Sequence, residues 1–322
     1  MNNLNTKKTI PRVIKQTLKT HPVIIVFLAL FVIFASIYPG RFFSPINFQS
    51  ILRQFVTLTL FALGPSFVVL TGRLDLSYVG VWMLGGILVW LFKPILGMFS
   101  IIMIPVVGTA TGLFIGVIQT KAKIPSFILT LSLLVTYTGL AALLAEGYPR
   151  AVAGYEFITA PLIPLIPTTF LLSIPLIAAA IFLMKCTRLC VYLNAIGSNE
   201  EGARLAGINV DKYKILAFML SGVFTGVGAI ILFQHLGGSA QVELKLNTLV
   251  WPLVAIVLGG TPLTGGSGGP QRTLLGAITF TVFYRGLYLS ALHPTTITLL
   301  VGIVLIVSII ISARGLKGVT VT

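Results

Sequence analysis

Asn194-Ala195-Ile196-Gly197-Ser198-Asn199-Glu200-Glu201-Gly202-Ala203-Arg204-Leu205-Ala206-Gly207-Ile208 is a polar island in an apolar chain. It holds two of the seven acidic residues among 322, side by side at Glu200 and Glu201. The uncharged runs on either side are too long for a soluble domain and decide the fold class: an all-α integral membrane bundle, with the island connecting two spans. Ser198 is placed as an N-cap, Glu201 three residues on completes a capping-box pattern, and Gly207 stands where a left-handed C-terminal residue is wanted. These signals predict a short helix. About two turns do not hold together in water by propensity alone. Two readings remain: a docked partner protein supports the helix, or the segment is an ordinary capped connection.

Outward from the island, composition agrees. Hydrophobic residues make up 56% and charged residues 9% of the chain, against about 25% charged in soluble domains. The net charge of +15 does not indicate nucleic acid, because the Lys and Arg residues fall at the ends of apolar runs and no basic patch interleaved with aromatics exists. Cys186 and Cys190, the only cysteines, have no His neighbours and make neither a zinc site nor a disulfide framework. Paired carboxylates within a span and a phosphate-binding Gly-x-x-x-x-Gly-Lys-[Ser/Thr] loop are both missing, which argues against catalysis, a proton relay and ATP hydrolysis on this chain. The sequence therefore predicts no catalytic residue, no metal and no cofactor.

Apolar runs of span length predict roughly ten crossings, with interruptions, at 22–39, 51–71, 76–92, 95–118, 125–145, 168–184, 214–235, 249–262, 272–291 and 295–312. Residues 1–21 form a basic cytoplasmic segment, 22–312 a single transmembrane domain with its main cytoplasmic loop at 186–213, and 313–322 a tail. Ten crossings put both termini in the cytoplasm. Lys121, Lys123, Lys185, Arg188, Arg204, Lys212, Lys214 and Arg272 then lie inside, while Arg41, Lys93, Arg150 and Lys245 lie outside with Glu146, Glu156 and Glu243. That asymmetry follows the positive-inside rule. The outer segment 146–167 carries Pro149, Pro161, Pro164 and Pro167 and is expected to follow a fixed, non-helical path.

Three stretches carry a family resemblance. The island from Ala195 to Val210 is similar to the cytoplasmic coupling loop of the simple-sugar (ribose and autoinducer-2 type) permeases of ABC importers. Gly72-Arg73-Leu74-Asp75-Leu76-Ser77 resembles that family's Gly-Gly-Ile-Asp-Leu-Ser signature. Leu258-Gly-Gly-Thr261-Pro-Leu-Thr264-Gly-Gly-Ser-Gly268 resembles its Leu-Gly-Gly-Thr-x-Leu-x-Gly-Gly block. The resemblance implies a permease subunit in a bacterial cytoplasmic membrane that takes up a monosaccharide or related solute. Its implied partners are a second permease subunit, ATP-binding subunits that carry the ATP and magnesium, an extracytoplasmic solute-binding protein and the lipid bilayer. Gly197, Asn199, Glu200, Glu201, Ala203, Arg204, Leu205 and Gly207 become the candidate ATPase-coupling residues. Glu200, Glu201 and Arg204 are expected to make polar contacts, and Ala203 and Leu205 to pack into the partner.

Arg73, Asp75, Ser77, Thr261, Thr264 and Arg285 are the candidate pathway residues. Asp75 is the one acid inside the apolar stretches, so it must face protein or water. It either caps the helix starting near Leu76 or lines the path, and capping explains the Asp-Leu-Ser spacing with fewer assumptions. Arg73 replaces an apolar residue of the family pattern, and Arg285 a neutral polar one. If both face inward, the solute carries negative charge. Phe61, Tyr78, Trp82 and Trp251 are candidates for stacking on a sugar face. A branched-chain amino-acid or nucleoside permease, or a self-sufficient secondary carrier, remain alternative readings.

Overall fold

The computed structural model describes residues 22–160 and 162–316. The basic segment expected over 1–21, Pro161 and residues 317–322 lie outside the described residues. The described residues are mostly helical: α1 (Pro22–Ile37), α2 (Pro39–Phe42), α3 (Pro45–Leu70), α4 (Tyr78–Leu96), α5 (Met103–Lys121), α6 (Ser126–Leu144), α7 (Thr168–Cys186), α8 (Leu189–Ser198), α9 (Glu200–Leu205), α10 (Val210–His235), α11 (Leu246–Leu258), α12 (Pro270–Leu289) and α13 (Pro294–Leu316). Two short strands, β1 (Arg150–Ala151) and β2 (Ser239–Ala240), pair antiparallel with Arg150 opposite Ala240.

Among the described residues, five runs are long and apolar enough to cross a bilayer: Pro45–Leu70, Tyr78–Lys121, Ser126–Leu144, Thr168–Cys186 and Val210–His235. Their apolar side chains point outward as well as inward, with Ile95, Leu143 and Val135 exposed. That is the pattern of a surface facing lipid, and the chain is a multi-pass membrane protein. Tyr78–Lys121 is not one rod. A Cβ on Gly85 would stand 3.0 Å from Ile104 Cα, whereas residues nineteen apart on a straight helix are about 28 Å apart. The chain turns back through the 3₁₀ segment Gly97–Ile102, so α4 and α5 lie side by side.

Local chemistry starts the helices. Pro45 opens α3 after Ser44, whose hydroxyl accepts from Asn47 N–H at 3.2 Å. Asn209 caps α10 by accepting from Lys212 N–H at 3.0 Å. α3 is the central helix, and every residue from Leu58 to Thr71 is buried. One core gathers Phe67, Phe218 and Phe224, with Phe67 and Phe224 stacked at 5.5 Å. A second gathers Tyr78, Trp82 and Phe233, and a third Val254, Ile256 and Phe280.

Within lipid, helices associate through close packing rather than hydrophobic drive. Gly108 and Gly112 of α5 meet α10 backbone to backbone, where added Cβ atoms would lie 2.3 Å from Gly222 O and 2.2 Å from Phe218 O. This small-residue seam fixes α10, the helix on which the functional elements converge.

Candidate functional site

The polar island folds as α8, a single extended residue and α9. The expected cap moves by one position. α8 runs through Ser198, so the extended conformation a cap requires first occurs at Asn199 (φ −158°, ψ 101°), whose side chain accepts from Gly202 N–H at 2.9 Å. Glu201 then sits too early in α9 to complete the expected capping box. The helix is also shorter than about two turns, with six residues. At its other end Gly207 takes φ +82°. Gly207 N–H donates to Arg204 O at 3.0 Å and Ile208 N–H to Ala203 O at 3.1 Å, a Schellman closure.

The expected contact surface of α9 needs one correction. Ala203 faces inward, 5% exposed, and packs with Ile196 and Val210, so it has no free face for a partner. Leu205 is 85% exposed. Glu201 and Arg204 are exposed as well.

The three motif stretches, far apart in sequence, meet at one junction. Gly266 N–H donates to Leu70 O at 3.0 Å. A Cβ on Gly197 would lie 2.0 Å from Leu70 O and 2.5 Å from Gly266 N. The end of α3, the end of α8 and the glycine turn thus touch through bare backbone. Gly265 and Gly266 take φ of +80° and +79°, which only glycine adopts without strain. Thr264 is exposed on this turn, while Thr261 is buried and accepts from Gly269 N–H at 3.1 Å.

A charge cluster lies beside the junction. Arg73 pairs with Glu200 Oε2 at 2.7 Å, not with Asp75, and Lys214 Nζ donates to Glu200 Oε1. Arg204 pairs with Asp211 at 3.3 Å and lies 3.7 Å from Glu200. Partial burial pushes the Glu200 carboxyl up, but hydrogen bonds from Lys214 and Arg73 outweigh it and hold the group below the usual glutamate range.

Asp75 is 2% exposed. Its Oδ1 accepts from Ser77 N–H at 3.0 Å and from the Ser77 hydroxyl at 2.6 Å, and its Oδ2 accepts from the Ser221 hydroxyl at 2.6 Å. The carboxylate closes a local turn at the start of α4 and ties it to α10. Arg285 lies elsewhere on α12, donating to Asn47 Oδ1 at 3.0 and 3.2 Å and lying 4.9 Å over the Tyr288 ring. Arg73 and Arg285 therefore do not converge, and each has a partner within the chain. Asn47 as that partner carries no signal in the sequence.

A cavity of about 110 Å³ opens between α3, α10 and α11, lined by Gln54, Thr57, Leu58, Phe61, Leu232, Asn247, Thr248, Trp251 and Pro252. Of the aromatic candidates, Phe61 and Trp251 line it, while Tyr78 and Trp82 are buried in the core. None of the six pathway candidates reaches it. Sequence reading missed Gln54, Thr57, Asn247 and Thr248. Their signal was present: polar residues one helical turn apart in an apolar run, and a polar pair just before another. Beside the cavity His235 bridges three helices, 2.8 Å from the Thr57 hydroxyl and 3.1 Å from that of Thr169.

The model of the family described as "Branched-chain amino acid transport system / permease component" matches residues 47–309. The chain is 32% identical to a ribose import permease protein of Haemophilus influenzae, over 78% of this chain and 81% of the relative. It is 30% identical to an autoinducer 2 import system permease protein of Photorhabdus laumondii, over 87% and 85%. It is 25% identical to a xylose/arabinose import permease protein of Sulfolobus acidocaldarius, over 89% and 82%. No solved structure matches. The match runs from α3 well into α13 and takes in the whole junction, and the chain belongs to this family of transport-system permease components, a transport subunit rather than an enzyme.

Proposed function

We propose that the chain is the membrane-spanning subunit of an ATP-binding cassette importer that carries a monosaccharide or a related small polar solute across a bacterial cytoplasmic membrane. Relatives named for ribose, xylose/arabinose and autoinducer 2 support this solute class. The observation that carries the mechanism is the junction of Leu70, Gly197 and Gly266, where the end of α8 packs on the end of α3 and leads directly into the short, capped helix α9.

About ten crossings with both termini in the cytoplasm put α9 on the cytoplasmic face. A second permease subunit completes the path, ATP-binding subunits holding ATP and magnesium dock beneath, and an extracytoplasmic solute-binding protein delivers cargo from above. Glu201, Arg204 and Leu205 form the contact with the ATP-binding subunit, with Leu205 as the apolar anchor. Closure of the ATP-binding pair displaces α9, and the displacement passes into α10 and the break at 71–77. In the cavity, Phe61 and Trp251 offer flat apolar faces within an almost wholly apolar lining, suited to stacking on the apolar face of a sugar ring.

The test is uptake by the reconstituted complex, using labelled ribose, xylose, arabinose and leucine with ATP inside the vesicles. ATP-dependent uptake of a sugar is the expected result. Uptake of leucine alone would move the chain to the branched-chain amino-acid reading suggested by the family description, and uptake without an ATP-binding subunit would overturn the importer reading altogether. Reversing charge at Glu201 and Arg204 together is expected to leave the chain in the membrane while uptake no longer follows ATP hydrolysis.

A further inference from the structure

Among the described residues, Glu200 is a carboxylate that joins three separate elements. It belongs to α9, its Oε2 receives Arg73 from the break after α3, and its Oε1 receives Lys214 from α10. Both oxygens are therefore occupied from within the chain. Lys214 is 5% exposed, and a cation buried to that degree is stable only when paired. Glu200 is its ion-pair partner.

The break is fastened to the same helix a second time. Lys214 and Ser221 are seven residues apart and so lie on one face of α10, and the Ser221 hydroxyl donates to Asp75 Oδ2 at 2.6 Å. Arg73 and Asp75, two residues apart in the break, are thus held to one stripe of α10. Asp75 is held directly and Arg73 through Glu200. Because the Glu200 side of these pairs is partly open to solvent, their net electrostatic contribution is screened, and the distinctive consequence of this arrangement is geometric. α9 cannot shift without pulling on both the break and α10.

Building on the importer reading, we infer that Arg73 and Lys214 are positioning residues that, through the shared Glu200 carboxylate, couple movement of α9 to the break at 71–77. Glu200 is then a linker inside the chain, and docking falls to Glu201, Arg204 and Leu205.

The experiment uses the full complex of permease, ATP-binding and solute-binding subunits in vesicles, reading sugar moved and ATP hydrolysed in the same sample. Co-purification of the ATP-binding subunit is scored separately. R73L is expected to keep the ATP-binding subunit bound but to lower sugar moved per ATP by about fivefold or more, the low end of typical coupling. R73K, which keeps the charge, is expected to restore most of it. R73L with E200Q is expected to do no worse than the more damaging single variant, because both remove one interaction. If R73L does not reach the membrane, R73Q replaces it.

An unchanged ratio in an intact R73L complex overturns the inference, as do additive losses in the double variant. Release of the ATP-binding subunit by E200Q but not by R73L also overturns it, because Glu200 would then dock directly. Failure of the importer reading looks different: the unaltered chain would hold no ATP-binding subunit and show no ATP-dependent uptake.

Discussion

At the Val210 end of α10, cations rest on carboxylates: Arg73 and Lys214 on Glu200, and Arg204 on Asp211. At the His235 end, about 38 Å away along the helix, they rest on aromatic rings, beside one exposed ion pair, Arg150 to Glu146 at 3.2 Å. Lys93 lies 3.9 Å over Tyr155 and Arg150 4.7 Å over Trp90, and the β1–β2 pair ties the loops on either side together. The Tyr155 hydroxyl lies 2.6 Å from that of Ser100. Glu156 accepts from the Gly154 backbone at 2.9 Å, a bond that lowers its carboxyl below the usual range. The difference is one of purpose. Charges paired with charges join three elements through one carboxylate, and all those contacts are lost when that carboxylate is lost. Charges on rings fasten a ledge through several modest contacts, none indispensable.

Four substitutions and conditions can break or sharpen this contrast. The largest effect belongs to Gly197→Val. Its side chain would enter the space held by Leu70 O and Gly266 N, and a loss of about 3 kcal/mol or more is expected from such overpacking, read as a lower melting midpoint in detergent. Next comes Glu200→Gln, which leaves Lys214 buried without its partner. Loss of one member of a buried pair costs more than this, but Glu200 is 37% exposed, so about 2 kcal/mol is expected.

The third test is pH. Because the folded state holds Glu200 below its ordinary value, its contribution is fully present above the ordinary glutamate value of 4.5 and disappears as pH falls through the lowered folded value. The stability gap between the unaltered chain and R73L should therefore close on acidification, and a gap that widens would contradict the pairing. The smallest effect is expected at the opposite end. Tyr155→Phe keeps the ring under Lys93 and loses only the hydroxyl contact, about 1 kcal/mol. A loss at Tyr155→Phe equal to that at Glu200→Gln would erase the contrast.

Legibility in the sequence follows the range of the interaction. The apolar runs, the short helix and its closure at Gly207 were readable because each depends on neighbours within a turn or two. The cap was misplaced by one residue because nothing local reveals that α8 continues through Ser198. Ala203 reads as an outward contact from sequence alone, because its burial depends on Ile196 and Val210 folding over it from both sides. The three motifs could be recognised, but not their meeting point: Arg73 and Glu200 are 127 positions apart, and a lone arginine in an apolar stretch does not announce its partner. The β1–β2 pair was invisible because two-residue strands leave no alternation to detect. Asp75 fell between these cases. Its turn with Ser77 was readable, and its bond to Ser221 was not.

The buried carbonyl of Leu70 sets a condition on any rearrangement of this protein. Leu70 is fully enclosed, and its C=O accepts from Gly266 N–H across the chain. Parting the two without a substitute would strand a dry acceptor at a cost of about 1–3 kcal/mol. A water molecule entering the gap removes that penalty, so hydration of the glycine turn should rise and fall with the transport cycle.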